Sequence, residues 1–313
     1  MATTAGARRM RQGIGAMEGG AEGVATPLDY WRLLKPNVMQ LVVFTGAVGL
    51  YLAPGAVHPL LAFVAILSIA LGAGACAAIN NAYDADIDRE MRRTRRRPTA
   101  SGRIAPAEAL GVGITLGLIA VLLMGLALNW LAASLLAFTI LFYVLVYTLL
   151  LKRRTPQNIV IGGIAGALPP VVGWAAVAGD VGIMPLLLFL VIFLWTPPHF
   201  WSLALYRNAD YARVGVPMLP VVAGRRATLR HIFAYALLVS LAGLLPAVIG
   251  SAGWLYGLTA AAAGATFTAI AWHLLRSDSD RVAMRSFRVS IVYLFVIFLG
   301  LVVDYAFLRA LEG

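Results

Sequence analysis

Long apolar blocks alternate with short polar stretches along nearly the whole chain. Nine such blocks stand out, at approximately 37–53, 59–79, 108–128, 130–151, 158–178, 184–205, 230–250, 254–275 and 287–309. Each is close to the ~20 residues a helix needs to cross the hydrocarbon core of a bilayer. The ten-residue alternation of a membrane barrel is absent. The pattern predicts an all-α, polytopic membrane protein with about nine transmembrane helices. The connections alternate as well. Those near 54–58, 129, 179–183 and 251–253 carry no Lys or Arg, whereas those at 80–107, 152–157, 206–229 and 276–286 are basic. Basic residues favour the cytoplasmic side, so the N-terminus and all four basic loops are expected there, with the C-terminus outside.

Composition agrees with this reading. Of 313 residues, 61% are hydrophobic and only 12% are charged, half the roughly 25% of a soluble domain. A formal net charge of +11 would raise nucleic acid as a partner if it formed a surface patch. Here the basic residues sit between apolar blocks, so they read as topology signals and no nucleic-acid partner is expected. The single cysteine, Cys76, excludes an internal disulfide and any two-cysteine metal motif. It lies inside an apolar block and reads as a packing residue. Residues 1–27 are Gly/Ala-rich and lack the apolar core of a secretory signal, while Glu18 and Glu22 argue against a transit peptide. They are expected to form a disordered cytoplasmic tail ahead of one membrane domain, 28–313.

Charge is concentrated in "NNAYDADIDREMRRTRRRP", residues 80–98. Asn80, Asp84 and Asp88 recur every four residues, a step that drifts only about 40° around a helix, so the three share one face. Asp86 points away. Oxygen donors on one face at a membrane boundary suit Mg²⁺, which takes a few carboxylates and fills its other positions with water and substrate phosphates. Neighbouring Arg and Lys suit the remaining phosphate oxygens. The chemistry indicated is binding of a diphosphate attached to an apolar tail. The D-x-D-x-D opening fails as a calcium loop, because Arg89 and Arg95 stand where glycine and glutamate are required. Simple surface pairing of Asp84, Asp86, Asp88 and Glu90 with Arg89, Arg92 and Arg93 remains the competing reading, and Arg95, Arg96 and Arg97 also serve as topology signals.

Three further stretches carry candidates. Lys152, Arg153 and Arg154 end the fourth block and suit either phosphate or interfacial anchoring. The fifth block contains Gly162, Gly163 and Gly166, which allow close helix contact, and Pro169–Pro170, which must break or kink a helix. The sixth block holds Pro197, Pro198 and His199 among Trp195, Phe200 and Trp201. An ionisable residue within a span is a functional candidate, and the surrounding rings suit a large flat ligand or a carbocation. Asp210 is a second candidate metal ligand, beside Arg207 and Asn208. The words "NNAYDADID" and "ALYRNADYARVG", each following a block, form a faint internal echo.

The Asn-x-x-x-Asp-x-x-x-Asp spacing resembles the signature of the UbiA superfamily of intramembrane prenyltransferases. The longer words "DADIDREMRRTRRRP", "TPQNIVIGGIAGALPPVVGW" and "WTPPHFWSLA" with "DYARVGVPMLPVV" resemble its haem O synthase (protohaem IX farnesyltransferase) branch, over roughly residues 28–310. The resemblance implies helices around a central cavity, farnesyl diphosphate and haem B as substrates, and Mg²⁺ as cofactor. It implies metal binding and catalysis by Asn80, Asp84 and Asp88 with Asp210 as a further ligand, and diphosphate contacts from Lys152, Arg153, Arg97, Arg207 and Asp210. It implies a haem site near His199, Trp195 and Trp201, with His199 orienting the porphyrin or ligating its iron. A bacterial inner membrane, and haem A synthase or terminal oxidase subunits as partners, follow from the same resemblance. The second aspartate-rich loop of the superfamily is reduced here to Asp210, which leaves more of the charge neutralisation to Lys152, Arg153 and Arg207. Two other functions compete: prenyl transfer to a quinone precursor, and a transporter, whose scattered mid-membrane charges are missing.

Overall fold

The computed structural model describes residues 24–312, which contain helices and no strands. Most of the tail assigned above to 1–27 lies outside them. Proline opens five of the helices at a position where its missing N–H is no loss. A short helix α1 (Pro27–Leu33) meets α2 (Pro36–Leu52) at a bend of 54°. Then follow α3 (Pro59–Tyr83), the six-residue α4 (Ala85–Glu90), α5 (Pro106–Ala127), and α6, which begins as Trp130–Leu141 and continues as a π-helix, Phe142–Leu151. The fifth block is split at Leu168 into α7 (Asn158–Ala167) and α8 (Pro169–Ala178), as the proline pair requires. Next come α9 (Ile183–Tyr206), short α10 (Asn208–Arg213) and α11 (Leu219–Val222), and the long α12 (Gly224–Val248), α13 (Trp254–Ser277) and α14 (Asp280–Glu312). Among the described residues eight segments are long and apolar enough to cross a membrane, and the bent pair α1–α2, taken as one span, passes the same test as a ninth.

Differences from the expected boundaries have physical causes. Helix α3 runs four residues past the expected end, so Asn80 is helical and the loop starts at Asp84. Helix α12 starts at Gly224, because its basic first turns remain helical outside the apolar block. Prolines 197 and 198 do not break α9, which is continuous through both. The sequence echo has a structural counterpart: α3 and α9 each end in a tyrosine, are interrupted for one residue, and resume as a six-residue helix.

Two side-by-side groups of helices share the core. One packs α3, α5, α6 and α8 around Ile69, Met124 and Leu136. The other packs α9, α12, α13 and α14 around Trp201, Tyr256, Phe267 and Phe298. Helix α2 joins them. Against α8 it approaches backbone to backbone: a Cβ on Gly173 would stand 2.0 Å from the Gly46 carbonyl, and one on Gly49 would stand 2.1 Å from that of Pro170. Against α14 the contact is made by side chains, with the Phe44 and Phe295 rings 4.9 Å apart. Apolar residues such as Leu118, Leu126 and Val248 remain exposed on the outer faces, as lipid contact requires.

The polar loops gather at one end. Arg103 pairs with Asp29 at 3.2 Å, Arg153 with Asp86 at 2.6 Å and Arg225 with Asp280 at 2.8 Å. Arg213 donates to the Glu90 carbonyl at 3.4 Å, so the two longest loops touch. At the other end, buried Asp304 of α14 caps α13 by accepting from the backbone N–H groups of Gly253 (2.6 Å) and Tyr256 (3.1 Å). It satisfies donors that the start of a helix otherwise leaves unpaired.

Candidate active site

At the charged end, α3 finishes in a chain of polar contacts. The i→i+4 backbone ladder persists through the break, with Asp84 N–H on the Asn80 carbonyl at 3.0 Å and Asp88 N–H on the Asp84 carbonyl at 2.8 Å. One unbroken helical face is nevertheless corrected, because the helix ends at Tyr83 and Asp84 takes φ −91° and ψ 6°. Asn80, Asp84 and Asp88 are all buried, while Asp86 is 63% exposed, as its position on the opposite side requires. Asn80 donates from Nδ2 to Asp84 Oδ2 at 2.7 Å and accepts from Lys35 Nζ at 2.7 Å. Lys152 Nζ binds the same Asp84 Oδ2. Arg97 donates to Asp88 Oδ2 at 2.6 Å.

The remaining cations are distributed unevenly. Arg153 grips both carboxylate oxygens of Asp86 at 2.6 and 2.7 Å, donates to the Tyr83 carbonyl, and lies 4.6 Å over the Tyr83 ring. That grip holds the Asp86 carboxyl below the usual carboxylate range. Arg207 lies 4.9 Å over Tyr206, its buried Nε unpaired among the described residues. Asp210 is buried, and its carboxylate has no ion pair among the described residues. Among those residues no three His, Cys, Asp or Glu side chains come close enough to hold one metal ion. The four proposed ligands, Asn80, Asp84, Asp88 and Asp210, are therefore not assembled into a ready cage, because Lys152 and Arg97 occupy Asp84 and Asp88. The donor set still fits Mg²⁺, which needs only one or two protein carboxylates beside phosphate oxygens and water. Asp84 Oδ1 is buried without a hydrogen-bond donor among the described residues, with Arg153 Nη2 3.6 Å away, and a bound metal ion would satisfy it more directly.

Next to this polar end lies a cavity of about 470 Å³. Lys35 and Arg93 line it at the charged end, and its walls are otherwise mainly apolar, from α2, α3, α6, α7, α9 and α14. The π-helical part of α6 contributes Tyr143 and Tyr147. Gly162 admits the Tyr147 ring, and a Cβ there would stand 2.3 Å from it, whereas a Cβ on Gly166 would meet nothing within 4 Å and would project into open space. Within the cavity His199 is stacked between Trp195 (centroids 4.2 Å) and Phe287 (4.5 Å). Of the three expected haem contacts, His199 and Trp195 line this space. Trp201 does not: it is buried against His231 and Tyr235.

Sequence reasoning did not single out Lys35, Tyr147 or Phe287, and it named Arg93 only as a surface partner of the loop carboxylates. A signal for Lys35 existed, since the chain has only two lysines, Lys35 and Lys152, and both reach the Asn80–Asp84 pair.

A membrane-embedded helical bundle that encloses an apolar cavity and gathers carboxylates and cations at one polar end is the architecture of an intramembrane prenyltransferase. The chain belongs to the UbiA prenyltransferase family, whose model matches residues 42–301. It is 53% identical over 291 residues to a protein of Granulibacter bethesdensis named protoheme IX farnesyltransferase, covering 90% of this chain and 92% of that one. Among solved structures it shares its fold with a UbiA homolog from Aeropyrum pernix (TM-score 0.71, 20% identity, 86% of this chain and 98% of the other). It shares the fold also with a UbiA homolog from Archaeoglobus fulgidus bound to GPP and Mg²⁺ (TM-score 0.64, 19% identity, 87% and 99%).

Proposed function

We propose that this protein transfers the farnesyl group of farnesyl diphosphate to a vinyl group of haem B, with addition of water, giving haem O. The observation that carries the reading is the single cavity joining a cationic mouth at Lys35 and Arg93 to an aromatic slot at Trp195, His199 and Phe287. A diphosphate with a long apolar tail and a flat aromatic acceptor fit opposite ends of one such space. The name of the 53% identical relative points to haem as that acceptor, and the words around "WTPPHFW" agree.

The chemistry asks for three things. The allylic carbon–oxygen bond must break, the leaving diphosphate must be stabilised, and water must be kept from the allylic cation until the vinyl carbon has attacked it. Asp84 and Asp88 would hold Mg²⁺, with Asn80 and Asp210 beside them, and the bound ion would supply positive charge to the departing diphosphate. Lys152, Arg97, Arg153 and Arg207 together with Lys35 and Arg93 provide the cations for the remaining phosphate oxygens. Apolar walls exclude water from the breaking bond. The π electrons of the vinyl group form the new carbon–carbon bond, and water then adds to the resulting cation and loses a proton, leaving a hydroxyethylfarnesyl chain.

The basic end would face the cytoplasm of a bacterium, with the protein in the inner membrane and the C-terminus outside. The product would pass to haem A synthase or terminal oxidase subunits. Membranes containing the chain, supplied with haem B, farnesyl diphosphate and Mg²⁺, should form farnesylated haem detectable by mass spectrometry. Absence of that product, with a prenylated quinone precursor formed instead, would replace this reading.

A further inference from the structure

His199 is nine-tenths buried, yet only one of its ring nitrogens is used. Nδ1 lies 2.7 Å from Ser290 Oγ. That hydroxyl has a single proton and is also 2.7 Å from the Phe287 carbonyl oxygen, three residues earlier in α14. A carbonyl oxygen has no proton to give, so the Ser290 proton goes to it, and Ser290 Oγ accepts from His199 Nδ1–H. The tautomer is thereby fixed. Nε2 carries the free lone pair and has no hydrogen-bond partner among the described residues. Ser290 is itself pinned, fully buried, with its carbonyl accepting from Trp195 Nε1 at 2.7 Å.

The rings around His199 hold its plane as firmly as Ser290 holds its protonation. Trp195 and Phe287 stack on it within 26° of parallel and Phe200 meets it edge-on. His199 lines the cavity and Ser290 does not, so the bonded nitrogen faces α14 and the bare one faces the open space. One turn earlier on α9, Thr196 packs against Gly163 of α7. Gly166 of the same helix, with open space where a Cβ would stand, lines the cavity together with His199. A neutral imidazole with one N–H tied to a fixed acceptor and the other nitrogen free is the usual preparation of a histidine for a metal.

Resting on the reading of haem as acceptor, we propose that His199 Nε2 is an axial ligand to the iron of the bound porphyrin substrate, with Ser290 as the positioning residue that fixes its tautomer. Coordination would anchor the macrocycle by its centre and leave its edge, which bears the vinyl groups, free to reach the prenyl carbon.

The test uses full-length protein in detergent, titrated separately with ferric haem B and with metal-free protoporphyrin IX. Wild type with haem should give the absorption and electron paramagnetic resonance signature of imidazole-ligated iron. His199→Ala should lose that signature and bind haem at least tenfold more weakly, while protoporphyrin affinity changes less than twofold. Added imidazole should restore the ligated spectrum in His199→Ala. Ser290→Ala should weaken haem several-fold, again without affecting protoporphyrin, and Ser290→Thr should recover it. An unaltered spectrum in His199→Ala, or equal loss of both porphyrins, would overturn the proposal. The latter is what a packing role, or a hydrogen bond to a propionate, would give. Farnesylated haem formed by wild type alongside either result would leave the proposed function standing while removing the ligand.

Discussion

Asp84 is the most enclosed charge at the polar end, and its pairing can be separated from its chemistry by a double-mutant cycle. Its side chain is 0% exposed and that of Lys152 is 17% exposed. Replacing Asp84 by Asn removes the only carboxylate that Lys152 touches among the described residues. Breaking a buried ion pair by deleting one partner costs about 3–5 kcal/mol, because the other charge is stranded. The residual exposure of Lys152 lets its ammonium keep some hydration, so we expect about 3 kcal/mol, the low end of that range. Lys152→Met strands Asp84 instead. Arg153 Nη2, 3.6 Å from Asp84 Oδ1, compensates part of that charge, and the expected loss is about 2 kcal/mol. The double variant strands nothing and should lose well under the sum, leaving a coupling of at least about 2 kcal/mol. Tryptophan fluorescence during SDS titration in mixed micelles measures all four proteins, and product mass spectrometry should find all three variants inactive. Additive losses would refute the paired geometry. Near-normal turnover in Asp84→Asn would refute the role given to its charge.

Other perturbations discriminate among neighbours. Asp86→Ala should cost under about 1 kcal/mol, as exposed pairs do, and leave turnover within a few-fold, whereas Asp88→Ala should abolish turnover in the same assay. Lys35→Met should slow steady-state turnover by about 10²-fold, the usual cost of one donor to a developing negative charge. Gly173→Leu should fail to give a monodisperse protein on size-exclusion chromatography, since its Cβ would overlap the Gly46 carbonyl, while Gly166→Leu should assemble normally. Chelation with EDTA should stop product formation, and added Mg²⁺ should restore it.

Most of the membrane architecture was legible because apolar length is a strong signal. All eight long segments fall where the hydropathy blocks lie. Less legible was whether a proline pair breaks a helix: Pro169–Pro170 does and Pro197–Pro198 does not. That depends on what surrounds the freed carbonyls, which sequence does not state. Four-residue spacing marked Asn80, Asp84 and Asp88, and the structure buries all three, but it could not reveal that Lys152 and Arg97 would sit on the two aspartates. Lys35 is 45 residues from Asn80, a tertiary contact that only its rarity in the sequence hinted at. Aromatic clustering drew attention equally to Trp195 and Trp201. Six residues apart, they point about 120° away from each other around α9, and only Trp195 faces the cavity.

The contact between α2 and α8 also governs how the cavity can yield. A joint made of side chains gives way by rotamer changes, which are fast and local. One made of two touching backbones has nothing that can swing aside and opens only if whole helices part. The α2–α8 seam, closed at Gly46, Gly49 and Gly173, is therefore the stiff side of the chamber. The α2–α14 seam, closed by the Phe44 and Phe295 rings, is the compliant side. The chamber can therefore widen by ring rotation on one side and only by the parting of whole helices on the other.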